Sequence, residues 1–320
     1  MRLSMRLLTL AGAFALATGP AAAQTKISFI LNWIAGGDHA PYYYAKKEGW
    51  YAKEGIDLDI EQGKGSALAI QKTGAGANPI GLADMAGVMV GVGKGADLVA
   101  IYNVYANSPQ GLYWLKSSGI KTVKDLAGKR IGNPPGDGAR IMWPALAKAN
   151  GIDPKSVIWV NIDANAKLAA LKAKTIDATT SFYNIHHVFQ RELGDDMGFL
   201  AWRDAGLNPY GNSIIVNGAY LKANRDAVAK FVKVTQKAFA ACVEKPEPCV
   251  QALVDANGAL KFDNELTNWK LVEVLMSDKF SREVALGIHD PGRMTADYAL
   301  VKEYIGLDKE FDVAKIYTND

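Results

Sequence analysis

The chain of 320 residues has little cysteine, little net charge and few long apolar runs. Its two cysteines have no histidine close to them in the sequence, which excludes a zinc cluster of the usual spacing. A formal charge of +3 provides no basic surface for nucleic acid or for a membrane. Hydrolase, zinc-protease and P-loop signatures are missing. These absences favour a protein that binds a small molecule.

The N-terminus carries the longest apolar run. Arg2 and Arg6 precede apolar residues 7–17, and the three alanines at 21–23 have the form of a signal-peptidase site. The run is too short to span a bilayer. We therefore expect a cleaved signal peptide over residues 1–23 and a secreted, soluble protein. Removing 23 of 320 residues leaves 297, enough for two domains, and removing two arginines lowers the charge from +3 to +1.

The two cysteines, Cys242 and Cys249, stand on either side of a proline-containing loop. Disulfides persist in exported proteins, and we therefore expect this pair to form a local structural disulfide. Two free, buried thiols are the alternative. The spacing is wrong for a redox-active pair, in which two residues separate the cysteines.

Strand and helix patterns alternate along most of the chain. A first block has predicted strands at residues 26–31, 56–60, 80–82 and 98–104. A second block has predicted strands at residues 111–115, 129–132, 157–160 and 178–182. Helical patterns separate most of these strands. Such crossovers imply mainly parallel sheets with helices on their faces.

The chain changes character after residue 207. One strand is predicted at residues 214–217, followed by long amphipathic helices near residues 225–243 and 265–277 and a helical tail beyond residue 295, which lack strand partners. We expect these helices to pack on the first domain, so that the chain crosses between domains twice. Two crossings form a hinge with a cleft between the lobes. The predicted domains are residues 24–106 with 210–320, and residues 107–209.

The first candidate site lies at the carboxyl end of the first predicted strand, which carries Asn32 and Trp33, followed by His39 in a loop. Ligands of open parallel sheets bind at this edge. A tryptophan ring can stack on a flat heterocycle, and an amide can pair with its ring nitrogens. The alternatives are a core tryptophan, a turn-forming asparagine and a histidine that only packs the loop.

Further candidates follow other predicted strands or precede helices. Tyr42 is the nearest of three consecutive tyrosines to the proposed edge. Asp84 is either a contact for ligand NH groups or a helix cap. The remaining candidates come from the second domain and the second crossing: Gly136, Asp137, Gly138, Tyr183, Asn184 and Tyr210.

Two glycine-containing loops, at residues 63–66 and 136–140, precede helices and offer backbone amides to an anion. The carboxylate of Asp137 competes for these amides, which argues against a bare anion, and helix capping is the alternative role. His186 and His187 diverge on a helix and lack partners at metal-binding spacing. We therefore expect no metal.

Several short segments along the chain match the sequence pattern of a known family, in the same order. They are Leu-Asn-Trp at residues 31–33, His-Ala-Pro at 39–41, Lys-Glu-Gly-Trp-Tyr at 47–51, Glu-Gly-Ile-Asp-Leu at 54–58, and the segments at 80–84, 123–132 and 170–178. Together they resemble the thiamine-pyrimidine-synthase-like family, which includes periplasmic solute-binding proteins of ABC importers. Relatives of that family bind pyrimidine precursors of thiamine, riboflavin, alkanesulfonates, taurine or nitrate.

The resemblance implies a two-lobed α/β fold of the type 2 periplasmic-binding-protein class, each lobe a mainly parallel sheet flanked by helices. It implies a monomer, without a cofactor, that captures a flat nitrogen heterocycle such as a thiamine pyrimidine precursor. Hinge closure traps the ligand, and a permease in the inner membrane receives it. An aliphatic sulfonate, taurine or nitrate is the alternative ligand.

Some similar proteins are enzymes, the fungal pyrimidine synthases. They carry a lysine for pyridoxal phosphate and a cysteine-rich run. Here the lysine position corresponds to Ala83, and residues 210–213 contain no cysteine. We therefore expect a binding protein and not an enzyme, with a secreted enzyme of thiamine-precursor metabolism as the second alternative.

Overall fold

The computed structural model describes residues 24–320. The predicted signal peptide lies outside the described residues and stays a prediction. Within residues 24–320, no helix combines the length and apolar character needed to cross a membrane.

Ten strands form two sheets. In chain order they are β1 Thr25–Ile30, β2 Ile56–Glu61, β3 Ile80–Asp84, β4 Leu98–Asn103, β5 Gln110–Leu115, β6 Arg130–Gly132, β7 Ile158–Val160, β8 Ala178–Phe182, β9 Met197–Ala201 and β10 Asn212–Asn217. The first sheet has the order β2-β1-β3-β10-β4, and the second has the order β7-β6-β8-β5-β9. We call each sheet with the helices packed on it a lobe.

Each sheet contains one antiparallel strand, β10 in the first and β5 in the second, among four parallel ones. In both sheets this strand is the one that the chain forms directly after crossing from the other lobe. The prediction of mainly parallel sheets is therefore confirmed, although neither sheet is wholly parallel. An antiparallel strand begins at the edge where its parallel neighbours end, so its first residue joins theirs there.

Thirteen α-helices flank the sheets in the described part of the chain. They are α1 Ala40–Lys47, α2 Trp50–Lys53, α3 Ser66–Gly74, α4 Met85–Gly93, α5 Gly138–Ala149, α6 Lys167–Lys172, α7 His186–Leu193, α8 Gly218–Ala223, α9 Arg225–Glu244, α10 Pro246–Ala256, α11 Phe262–Met276, α12 Lys279–Glu283 and α13 Pro291–Leu300. The helices after β10 return to the first lobe, where α9 and α10 pack on α1.

The strand β9 and the helix α10 are among the elements that have no counterpart in the sequence prediction. The strand β9 is only five residues long and follows two aspartates, so its pattern is weak. The helix α10 begins at Pro246, in a segment that reads as a loop because of its prolines. Proline suits this first helical position, where no backbone N–H is needed. Cys249 therefore lies on α10, and its disulfide with Cys242 joins α10 to the end of α9.

The two crossings between the lobes lie side by side. The backbone N–H of Val104 donates to the carbonyl of Asn212 at 2.8 Å, and that of Gly211 donates to Tyr105 at 2.9 Å. Paired crossings restrict the lobes to rotation about this point. The domain division at residues 106/107 and 209/210 stays a prediction.

A close backbone contact fixes the end of β1. The N–H of Gly63 donates to the carbonyl of Trp33 at 3.0 Å, and that of Gly65 donates to Asn32 at 2.8 Å. A Cβ atom at Gly63 would overlap the carbonyl oxygen of Leu31. Glycine at this position therefore allows the loop after β2 to hold residues 31–33.

We predict that Gly63→Ala lowers the free energy of unfolding by about 1–3 kcal/mol, because the added methyl group must displace backbone. Urea denaturation of the mature chain measures this. Gly258→Ala is the matched control, since its Cβ atom would meet nothing within 4 Å. Equal stability of the two variants would contradict the role given to Gly63.

Candidate functional site: a cavity between the lobes

A cavity of about 330 Å³ lies between the lobes, at the edge where β1 and β8 end and β5 begins. Its volume is within the range of small-molecule sites. The first lobe contributes Asn32, Trp33, Ile34, Ala35, Gly36, Asp38, His39, Ser66, Leu260, Asn264, Glu265 and Asn268. The second lobe contributes Gln110, Asp137, Gly138, Ala164, Asn165, Lys167, Leu168, Ser181, Phe182, Asn184, Ile185, Val188 and Phe189.

The imidazole of His39 is bonded through both nitrogens. The backbone N–H of Gly36 donates to Nδ1 at 3.2 Å, which leaves the proton on Nε2 to be donated to Oδ1 of Asn32 at 3.0 Å. Burial lowers the pKa of His39, and the Asp38 carboxylate opposes this effect. The contact of 3.3 Å between Asp38 Oδ1 and Nδ1 is an ion pair only when the ring is protonated. A neutral ring uses the Asn32 oxygen and leaves the Asn32 NH₂ group for the cavity.

The carboxylate of Glu265 links α11 to the loop after β1. Its Oε2 accepts from the backbone N–H of Gly37 at 2.7 Å, and its Oε1 accepts from Nδ2 of Asn264 at 2.9 Å. A Cβ atom at Gly37 would overlap the backbone carbonyl of Glu265, so glycine permits this approach. Burial raises the pKa of Glu265, and the two hydrogen bonds oppose this effect.

The ammonium of Lys167 connects the two walls of the cavity. It donates to Oδ2 of Asp137 at 2.7 Å and to the carbonyl of Thr180 at 2.9 Å. It also lies 4.8 Å from the centre of the Trp33 ring, across the interlobe boundary. Because Lys167 is only 6% exposed, water does little to weaken this ion pair. Its charge is already neutralised by Asp137.

Direct hydrogen bonds also close the lobes onto each other. The backbone N–H of Ala67 donates to the carbonyl of Gly136 at 3.2 Å, and Nδ2 of Asn184 donates to Oδ1 of Asn268 at 3.0 Å. At the rim, Nε2 of His187 lies 3.1 Å from Oδ1 of Asn264. The two lobes are therefore in direct contact around the cavity.

Of the residues that the sequence singled out, the structure places six in the cavity wall: Asn32, Trp33, His39, Asp137, Gly138 and Asn184. Asp137 also caps α5, with its carboxylate accepting from the N–H of Ala139 at 2.9 Å. Trp33 is half-buried, with the ammonium of Lys167 near its ring.

The three predicted tyrosines lie away from the cavity, and their placement needs correction. Tyr42 is fully buried in the first lobe, where its ring packs edge-on against Phe29, because its position on α1 faces the sheet. Tyr210 is buried beside His289, and its hydroxyl accepts from a backbone N–H. Tyr183 is half-buried, with the guanidinium of Arg203 over its ring.

Two further predicted residues lie behind the cavity wall. Gly136 uses its carbonyl for the interlobe bond to Ala67. Asp84 caps α4 through the N–H of Ala86 at 3.3 Å, and its own N–H donates to Oγ of Ser66 at 3.1 Å. Burial, assisted by the nearby carboxylates of Asp137 and Asp297, raises the pKa of Asp84 to about 7. The capping alternative therefore describes its observed contacts.

Sequence reasoning missed Lys167, Gln110 and Glu265. The predicted strand at residues 111–115 left Gln110 outside it, whereas Gln110 is the first residue of β5. Lys167 is the first residue of α6, and a charged side chain at a helix start is normally expected to be exposed to solvent. Glu265 belongs to a distant helix that only packing brings to the site. The signal available for Gln110 was its position next to the crossing.

Backbone amides near the starts of α3 and α5, beside the cavity, are hydrogen-bonded to other groups of the protein. At α5 the N–H of Ala139 is bonded to the Asp137 carboxylate, and at α3 the N–H of Ala67 is bonded to the carbonyl of Gly136. These amides are therefore not free for an anion. Among residues 24–320, no cluster of histidine, cysteine, aspartate and glutamate has the arrangement of a metal site.

Two mixed sheets, two adjacent crossings and a cavity between the sheet edges define the periplasmic-binding-protein fold. The alkanesulfonate-binding protein SsuA from Xanthomonas axonopodis pv. citri, bound to MOPS, has this fold. It superposes with a TM-score of 0.72 at 16% identity, covering 93% of this chain and 99% of its own.

The chain belongs to the NMT1/THI5-like family, whose model matches residues 37–249. It is 28% identical to the 4-amino-5-hydroxymethyl-2-methylpyrimidine phosphate synthase of Legionella pneumophila, over 92% of each chain. It is 21% identical to the formylaminopyrimidine-binding protein of Halalkalibacterium halodurans, over 71% of this chain and 69% of that protein. The family resemblance found in the sequence is thus confirmed.

The expectation that the chain is not an enzyme is contradicted by the relatives named as phosphate synthases, that of Legionella among them. Loss of one lysine position and of a cysteine-rich run was too narrow a ground for that exclusion. The residue at that position, Ala83, is fully buried in β3 and has no amino group. The position therefore does not fit pyridoxal phosphate held as an imine.

The raised pKa of Asp84 has a consequence for stability. Below pH 7 the folded protein holds this proton, whereas an unfolded aspartate loses it above about pH 4. Stability from this group therefore increases as the pH falls from 8 to 5, by about 2–3 kcal/mol.

We predict that Asp84→Asn, which retains the cap, removes this pH dependence and makes the protein more stable than the wild type at pH 8. Urea unfolding at pH 8 and pH 5 measures the difference. Asp153→Asn, at an exposed capping aspartate, controls for the loss of one carboxyl group. Parallel pH profiles for Asp84→Asn and the wild type would disprove the prediction.

Proposed function

We propose that the chain is the ligand-binding component of an ABC importer and that it captures a small planar nitrogen heterocycle of the thiamine-pyrimidine class between its lobes. It acts in the periplasm as a monomer and delivers the ligand to a permease in the inner membrane. The observation that carries the proposal is the chemistry of the cavity wall, which is rich in hydrogen-bond acceptors and has its ammonium already paired.

The charges of the lining favour a ligand with N–H groups. The carboxyl groups of Asp38 and Glu265 lie in the cavity wall, and the charge of Lys167 is neutralised by Asp137. A sulfonate or nitrate needs free positive charge or free backbone amides, and at the helix starts of this cavity the amides of Ala67 and Ala139 are already bonded. A neutral aminopyrimidine instead supplies hydrogen atoms to carboxylates and amide oxygens.

The named relatives support the same ligand class. One is named for binding a formylaminopyrimidine and another for making a pyrimidine phosphate. The sulfonate-binding neighbour supports the fold alone, because its sequence identity is 16%. The pyrimidine class is therefore preferred to the sulfonate, taurine and nitrate alternatives.

The proposed mechanism is closure of the hinge. Trp33 from the first lobe stacks on the heterocycle, with the Lys167 ammonium fixed near its ring, while Asn184 and Asp137 complete the site from the second lobe. The ligand favours the closed form only by its greater affinity for closed over open lobes. The interlobe bonds at Gly136 and Asn268 add to that preference.

Catalysis on the same pyrimidine is a second candidate function. It is favoured by the match to the Legionella synthase, which extends over 92% of both chains. Turnover of 4-amino-5-hydroxymethyl-2-methylpyrimidine or formylaminopyrimidine by the purified chain, followed by mass spectrometry, distinguishes catalysis from binding without change.

We predict that 4-amino-5-hydroxymethyl-2-methylpyrimidine stabilises the mature protein, whereas taurine, MOPS and nitrate do not. At 100 times its Kd a ligand adds about 2.7 kcal/mol of stability, which raises the melting temperature by about 5 °C. A thermal-shift panel tests this. Stabilisation by the sulfonates with none by the pyrimidine would reject the ligand class.

We predict that Trp33→Ala weakens binding of that pyrimidine at least tenfold, about 1.4 kcal/mol, because the stacking surface is lost. Isothermal titration calorimetry measures the affinity. Trp50→Ala is the matched control, since Trp50 is half-buried on the first lobe and outside the cavity wall. Unchanged affinity of the Trp33 variant would remove this residue from the site.

A further inference from the structure

The side-chain amide of Gln110 lies in the cavity wall, buried and without a hydrogen-bond partner among the described residues. Gln110 is the first residue of β5, opposite Phe182 of β8, and is 2% exposed. Neither Nε2 nor Oε1 has a hydrogen-bond partner among the described residues. The amide is close enough to the Asp84 carboxyl to lower its pKa through a weak polar contact, but the geometry of the two side chains falls short of a hydrogen bond.

Buried amides without partners are rare, because each loses its bonds to water and gains none in exchange. Asn212 has the same property but lies outside the cavity wall, so a ligand does not reach it. Asn184 is in the wall and has one unpaired atom, Oδ1. Gln110 is thus the lining residue with a donor and an acceptor both unpaired within residues 24–320.

We propose that Gln110 selects the ligand by pairing its amide with an adjacent donor and acceptor on one edge of the heterocycle. This inference rests on the proposed function and specifies the edge that the site requires. A ring nitrogen accepts from Nε2, and an exocyclic amino group beside it donates to Oε1. Asparagine and glutamine pair with adenine through the same two-point geometry.

The pairing explains why the fold keeps an amide at this position. A methionine of similar length would fill the same space without an unpaired polar atom, so the amide serves a partner that arrives with the ligand. A site that hydrogen-bonds a ligand group discriminates strongly against an analogue lacking it, because its own polar atoms then stay unpaired. Gln110 therefore distinguishes aminopyrimidines from pyrimidines without the amino group.

Calorimetry with two probes tests this. The probes are 4-amino-5-hydroxymethyl-2-methylpyrimidine and the same molecule without its 4-amino group. We expect the wild type to bind the amino compound at least tenfold more tightly. In Gln110→Met the affinity for the amino compound falls at least tenfold and the preference disappears, while the melting temperature stays equal or rises. Gln190→Met, at an exposed glutamine on α7, is the control and retains the preference.

Gln110→Leu also removes both the donor and the acceptor, and it is expected to lose the preference as well, which protects the test if the methionine variant does not fold. Unchanged preference in these variants, or equal loss for both probes, overturns the role of Gln110 and leaves the proposed function standing. A wild-type protein that binds neither probe overturns the proposed function, and the inference with it.

Discussion

The close approach of the loop after β2 to the end of β1 is the contact on which the candidate site depends. Gly63 and Gly65 donate backbone hydrogen bonds to residues 32 and 33, and at Gly63 even a methyl group would overlap the backbone of Leu31. Gly65 adopts a positive φ of 124° against the backbone of Gly136 in the second lobe. The same short loop therefore positions Asn32 and Trp33 and touches the opposite lobe.

The polar groups around the cavity fall into two sets with different consequences. One set is satisfied within the protein: His39 with Asn32, Lys167 with Asp137, and Glu265 with the backbone of Gly37. These bonds fix the side chains before a ligand arrives, which lowers the entropy lost on binding. The other set is left unpaired, so its desolvation is offset only when a ligand supplies partners. The first set gives the site its shape, and the second gives it selectivity.

The ends of the predicted strands were the feature of the sequence that best indicated the cavity residues. The rule that ligands bind at the carboxyl ends of parallel strands led to Asn32, Trp33 and Asn184, all of which lie in the cavity wall. It failed for Tyr42, because rotation along α1 turns that side chain into the core. It could not reach Gln110 or Glu265, which join the site through an antiparallel strand and a distant helix. Local pattern thus predicts single elements, whereas contacts between lobes come from packing.

The fold by itself does not determine the ligand, since a sulfonate-binding protein shares it at 16% identity. What differs between ligand classes is how the polar groups at the cavity are used. An anion requires open helix starts or unpaired cations, and here Asp137 both caps α5 and neutralises Lys167. One carboxylate therefore occupies the Ala139 amide of α5 and also neutralises the ammonium of the second-lobe wall. The groups that remain are amides and acidic acceptors, which match the N–H donors and ring nitrogens of an aminopyrimidine.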